Sequence, residues 1–246
     1  MNELGTWEAL YKSDAQGVYA LLVVPALFLL YLLAGPRPAP SRGVVPDAAP
    51  FVRAYGIVFA LETMLDPIAT GLLPRSLGIA DAWAATAILV VFVLLGDLRV
   101  FALLFRLARP TASLAGVLGE AAAWTLLVPI VAFGVNSMLA SAFPGLPGQT
   151  IWLVYELAFA VLAVYFRFVW LPRHVVRGAR CGFLEDVVEY ALAYYLLWAA
   201  ADVLILVGGF DEGWALRVIP NQLYYSFYLP FVYVRFFTAK EQEIPE

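Results

Sequence analysis

Seven long apolar stretches constrain this chain more than anything else in it; they run approximately over 17–34, 52–73, 83–105, 114–139, 151–170, 187–209 and 215–236. A helix needs about 20 apolar residues to cross the roughly 30 Å of bilayer hydrocarbon, and each stretch is long enough. Lipid offers the backbone no hydrogen-bond partners, so a stretch that spans must close its own bonds as a helix. The predicted fold class is therefore all-α, a polytopic membrane protein of seven transmembrane helices. Residues 1–16 form a tail, 17–236 a single transmembrane domain and 237–246 a second tail, which leaves no room for a soluble catalytic domain. Composition agrees: 63% of the 246 residues are hydrophobic, 14% are charged, and the mean hydropathy is +0.83.

The breaks between stretches carry helix-stopping chemistry. Gly35-Pro36-Arg37-Pro38 with Pro40 and Pro46, then Pro74, Arg109-Pro110 and Pro144-Gly145-Leu146-Pro147-Gly148, read as turns. Pro129 falls inside the fourth stretch, where a kink is expected rather than a break. Residues 1–16 hold Glu3, Glu8 and Asp14 against Lys12 alone, so the first span reads as an uncleaved helix rather than a signal peptide, which needs a positive leader. A short interfacial helix around Trp7, Ala9, Leu10 and Tyr11 is expected before it.

Basic residues sort unevenly between alternate loops. Arg37, Arg42, Arg53, Arg106, Arg109, Arg173, Arg177, Arg180, Arg235 and Lys240 fall on one side, against Lys12, Arg75 and Arg217 on the other. The positive-inside rule puts the first set in the cytoplasm. The expected location is the plasma membrane, with the amino terminus outside and the carboxyl terminus cytoplasmic. Trp7, Trp83, Trp152 and Trp214 all fall at the outer helix ends, where an amphipathic ring prefers the headgroup layer.

Sliding the chain against itself by 136 residues lays span one on span five and span two on span six. Val18 then meets Val154, Tyr19 meets Tyr155, Pro36-Arg37 meets Pro172-Arg173, and Asp66 meets Asp202. Such a duplication predicts a three-plus-one-plus-three bundle with span four as the linker. That arrangement resembles the sugar-transporting SWEET and PQ-loop proteins. The resemblance is one of architecture: spans one and five carry no Pro-Gln pair.

Ionisable residues within the spans carry the functional information, because each is costly in hydrocarbon unless it faces water, a partner or the bundle interior. Glu62, Asp66, Asp97, Glu156 and Asp202 qualify, and Asn221 falls at comparable depth. At ~1.5 Å per residue, Asp66 and Asp202 lie about 20 Å from the cytoplasmic ends of their spans. They are expected to face one another or a shared cavity in the outer half. Glu62 and Asp66 are four apart, on one helical face, and two anions cannot share that place without a proton, a cation or an arginine between them. Pro67 next to Asp66 weakens the helix there, a recurrent way to build an ion or proton site. For Arg99, an interhelical salt bridge is the expected use.

Several chemistries are excluded. The one histidine, His174, lies in a basic loop, so no imidazole can activate a serine within the spans, and a histidine-held metal site is ruled out. One cysteine, Cys181, precludes an intrachain disulfide. Lys12 and Lys240 both lie outside the spans, so no retinal Schiff base can form. Gly96-Asp97 invites comparison with intramembrane aspartyl proteases, but Leu94 stands where their first glycine should be, and neither Asp66 nor Asp202 follows a tyrosine. Leu229-Pro230-Phe231-Val232-Tyr233 departs from the Asn-Pro-x-x-Tyr end of class A receptors at Leu229, and the aromatic run around it reads as a packing seam. No cofactor is named by any motif, and nothing in the charge pattern suggests nucleic acid. The expected partners are the bilayer, a small polar or cationic substrate, and further subunits. The reading that results is a small transporter or an ion- or proton-coupled permease with a buried outer-half carboxylate site, the alternative being a non-catalytic seven-helix sensor or a structural subunit of a larger membrane complex.

Overall fold

The computed structural model describes residues 5–36, 44–78 and 83–238. Arg37, Arg42 and Lys240 of the charge argument, and residues 239–246 of the carboxyl-terminal tail, lie outside that range. The described residues form eight helices and no strand: α1 (Thr6–Tyr11), α2 (Ala15–Ala34), α3 (Ala49–Ser76), α4 (Trp83–Ala108), α5 (Leu114–Ala142), α6 (Thr150–His174), α7 (Ala179–Leu206) and α8 (212–238). The short helix expected near Trp7 is α1. Six helices, α2 to α7, are long and apolar enough to cross a membrane. The seventh expected span is α8, which joins segments of 10, 6 and 11 residues, reaches about 40 Å at ~1.5 Å per residue, and carries more polar groups than the others. Helix α5 runs unbroken through Pro129, as expected of a membrane helix whose freed carbonyl is tolerated.

Consecutive helices pack on one another from α2 round to α8, and α8 closes the circuit against α2 and α3. Helix α4 also reaches α7 across the middle. Helix α5 touches mainly α4 and α6, its neighbours along the chain. Outward faces are apolar: Val23, Leu27 and Leu30 on α2, Ile130, Phe133 and Met138 on α5, and Val161 and Phe168 on α6 are all exposed. In water such a surface would aggregate; against lipid it is ordinary. The half of the bundle nearest the arginine-rich loops is filled by Phe101, Phe105, Phe159, Phe166 and Trp170, whose ring centroids lie 5.2–5.7 Å apart in tilted and edge-on pairs.

Four helices contain a widened π turn: Ala15–Tyr19, Ile68–Leu72, Phe166–Trp170 and Gln222–Phe227. The second begins directly after Asp66-Pro67, where proline removes one backbone donor. The Thr70 hydroxyl lies 2.8 Å from the Asp66 carbonyl and 3.1 Å from its carboxylate. In the last, the Leu223 and Tyr224 carbonyls accept from side chains of other helices. Two of the four widened turns therefore sit beside buried polar groups, while Phe166–Trp170 lies in the aromatic packing.

Candidate functional site

Polar side chains inside the bundle fall into two clusters with a cavity beside them. The first is built on the antiparallel packing of α7 and α8. Trp198 donates to the Asn221 side-chain carbonyl at 2.8 Å, and four residues further along α7 the Asp202 carboxylate pairs with Arg217, four residues back along α8. One step up one helix matches one step down the other, as facing i and i+4 rows require. Gly213 makes the approach close enough: a Cβ there would lie 2.9 Å from the Ala201 carbonyl and 2.6 Å from the Ile205 side chain. Gln149, the residue just before α6, donates to both Asp202 oxygens at 3.0 and 3.1 Å. Glu156, about two turns further along α6, brings one oxygen to 3.6 Å from Arg217, while its other oxygen, Oε2, is buried without a partner. Tyr11 of α1 completes the cluster, accepting from Arg217 Nε at 3.2 Å and from the Asn221 amide at 3.3 Å.

The second cluster centres on Arg99, which has no exposed surface. Its guanidinium donates to the Tyr224 carbonyl at 2.6 Å and to the Thr63 hydroxyl at 3.2 Å, and it lies over the rings of Tyr224 and Tyr228 at 4.0 and 4.7 Å. The expected salt bridge is instead a set of neutral bonds and ring faces. Glu62, Asp66 and Asp97 lie around this arginine without pairing with it directly. Asp97 accepts from the hydroxyls of Tyr155 and Tyr195, one on each oxygen. Asp66 has Thr70 on its own helix and Tyr225 beside it, and Glu62 lies 3.3 Å from the Thr63 hydroxyl.

Between the clusters and α1 lies a cavity of about 400 Å³, with walls from six helices. Trp152, Tyr155, Tyr195, Trp198, Trp214, Tyr224 and Tyr225 supply its aromatic faces, and Lys12, Gln149, Glu156, Arg217 and Asn221 its polar groups. Tyr155 and Tyr195 face this space and also hold Asp97, so the cavity floor is bonded to the deeper cluster. The structure thus gathers Glu156, Asp202 and Asn221 in one place and Glu62, Asp66 and Asp97 in another. Asp66 and Asp202, expected to face one another or a shared cavity, are both buried behind this one. Asp202 is consumed by Arg217 and Gln149 on the α6–α7–α8 side, Asp66 belongs to α3, and neither lines the space. Equal depth in two spans fixes height and leaves azimuth free.

Arg217 is a buried charge that the sequence alone places in a loop. Its position within the stretch 215–236 was the signal that it is intramembrane, and an intramembrane arginine calls for a buried acid. Gln149 and Tyr11 gave no such signal, because both sit outside the apolar stretches. Among the described residues no group of three or more acidic, histidine or cysteine side chains converges as a metal site would. Comparison with family models, curated proteins and solved structures finds no match to this chain. The chemistry of the site rests on its own geometry: buried carboxyls, two buried guanidiniums and tyrosine hydroxyls beside an aromatic cavity.

Proposed function

We propose that the protein is a small permease of the plasma membrane, with α1 on the outer face, that admits a small polar or cationic solute to the aromatic cavity and couples its movement to a proton or cation at Glu62 and Asp66. The observation that carries this reading is the cavity itself. Its volume lies near the low end of the roughly 300–1,000 Å³ common for small-molecule sites, and it ends against buried charge. Carboxylates inside a bundle are costly and recur on ion and proton pathways. Glu62 and Asp66 stand one turn apart beside the proline-widened turn of α3, where a helix is easiest to deform.

Reconstituted protein on a solid-supported membrane tests it. A pH step across wild type is expected to move charge, and Asp66→Asn, which mimics a permanently protonated carboxyl, is expected to make that signal insensitive to pH while circular dichroism stays unchanged. Unaltered pH dependence in Asp66→Asn removes the coupling role. A second reading, a sensor or a subunit of a larger complex, is favoured by the solid packing of Phe101, Phe105, Phe159, Phe166 and Trp170 below the cavity. Absence of charge movement under every gradient, with a folded protein, selects it.

A further inference from the structure

Glu156 and Asp202 share one guanidinium, Arg217, and Asp202 holds it more closely than Glu156 does. The remaining cation on the wall, Lys12, is taken up at 2.6 Å by Glu8. Glu156 lines the cavity together with aromatic residues, and its Oε2 is buried with no hydrogen-bond donor. A buried carboxylate oxygen without a donor is an expensive feature that a ligand's N–H or positive charge would repair. The wall already accepts cations: the Lys12 ammonium lies 4.9 Å from the Trp214 ring centroid, and the Arg217 guanidinium 6.0 Å from it.

We infer that the cavity is a binding site for a small organic cation, an amine or alkylammonium, whose charge is met by Glu156 and whose body is enclosed by Trp152, Trp198 and Trp214. This names the solute class of the permease reading and rests on it. A ring face attracts a positive charge through its quadrupole, most strongly for tryptophan, and several faces around one charge form the cage that quaternary ammonium ligands favour. An anion finds no free donor here, because Arg217 and Lys12 are both engaged. A bare metal ion needs about six oxygens, and one spare carboxylate oxygen among aromatic rings does not supply them.

The test uses the full chain in lipid nanodiscs, with choline and phenethylammonium as probes and 3,3-dimethylbutan-1-ol as the uncharged shape match of choline, all at constant ionic strength. Intrinsic tryptophan fluorescence and the thermal midpoint report binding. A saturable response to at least one cation is expected, with little to the alcohol. Glu156→Gln is expected to weaken it about tenfold or more, as loss of a charge-assisted contact does. Trp152→Leu, which leaves every ion pair in place, is expected to weaken it as well and decides the matter if Glu156→Gln fails to fold. An equal response to the alcohol, unchanged affinity in Glu156→Gln or Trp152→Leu, or no saturable binding of either cation overturns the inference. Cation binding without any flux in proteoliposomes leaves this site standing and removes the permease reading; flux of some other solute without cation binding does the reverse.

Discussion

Gly96 matters through what it lacks. A Cβ at this position of α4 would stand 1.6 Å from the Tyr224 hydroxyl and 2.7 Å from the ring carbon that bears it. The absent side chain lets Tyr224 lie against α4, where its ring covers Arg99 and its backbone carbonyl accepts from that guanidinium. Gly96→Ala must push the ring away and disturb both contacts. It is expected to cost about 1–3 kcal/mol, the usual cost of overpacking a filled interior, read as a lower thermal midpoint. Tyr224→Phe in the same chain removes the nearest atom and is expected to restore part of the loss; full additivity of the two changes would show that the contact is not the cause. At this scale the sequence was half legible. Glu62, Asp66, Asp97, Glu156 and Asp202 declare themselves as charges in apolar runs, yet their partners do not. Tyr155 and Tyr195, which hold Asp97, read as two more aromatic residues among many, because which face of a helix meets which neighbour is a property of packing.

At the scale of elements, α1 shows how a short helix is kept in place. Six residues cannot sustain a helix alone, since nucleation costs more than one turn returns. Asp211, in the turn before α8, accepts from the Trp7 amide at 2.8 Å and the Glu8 amide at 3.0 Å, so it supplies from 200 residues away the cap that its own strand of chain does not. Tyr11 then packs on Trp214 with ring centroids 5.3 Å apart, and α1 becomes one wall of the cavity. Asp211→Ala is expected to cost about 1 kcal/mol, as loss of a cap does, and to speed amide hydrogen exchange across residues 6–12 while α3 to α7 keep their protection. Equal exchange in the two proteins would show that Asp211 does not hold α1. The helix itself was legible in its apolar residues, and its clasp was not, because the cap comes from the far end of the chain. The same holds for α8. Its Tyr and Phe residues announced an aromatic seam, and the structure has one, with Tyr190 stacked on Phe231 at 4.4 Å and Tyr194 edge-on to Tyr224 at 5.4 Å. Its widened turn at Gln222–Phe227 had no counterpart in the sequence pattern.

For the whole molecule, the two ends of the bundle differ in kind, and that difference makes orientation testable. Arg106, Arg109, Arg173, Arg177, Arg180 and Arg235 gather at one end, where Arg109 is braced by Glu120 and Arg235 by Asp186 at 2.6 Å. The other end carries α1 and Trp83, which is 83% exposed at the start of α4, where a headgroup layer would receive it. Both signals were legible in the sequence because they depend on composition along the chain and need no knowledge of packing. Together they predict that α1 and the turn before α8 face outward. The buried Cys181, whose sulfur lies 3.6 Å from Glu185, must first be replaced, and Cys181→Ser keeps a donor for that carboxylate. In this background a membrane-impermeant maleimide applied to intact cells is expected to label cysteines placed at Ala15 and Glu212 and to spare one at Val176. Permeabilised cells should label all three, since each position is exposed. Labelling of Val176→Cys alone in intact cells inverts the orientation, and with it the side from which the aromatic cavity is filled. The site would then draw its ligand from the cytoplasm, and the direction of any coupled flux would have to be reversed accordingly.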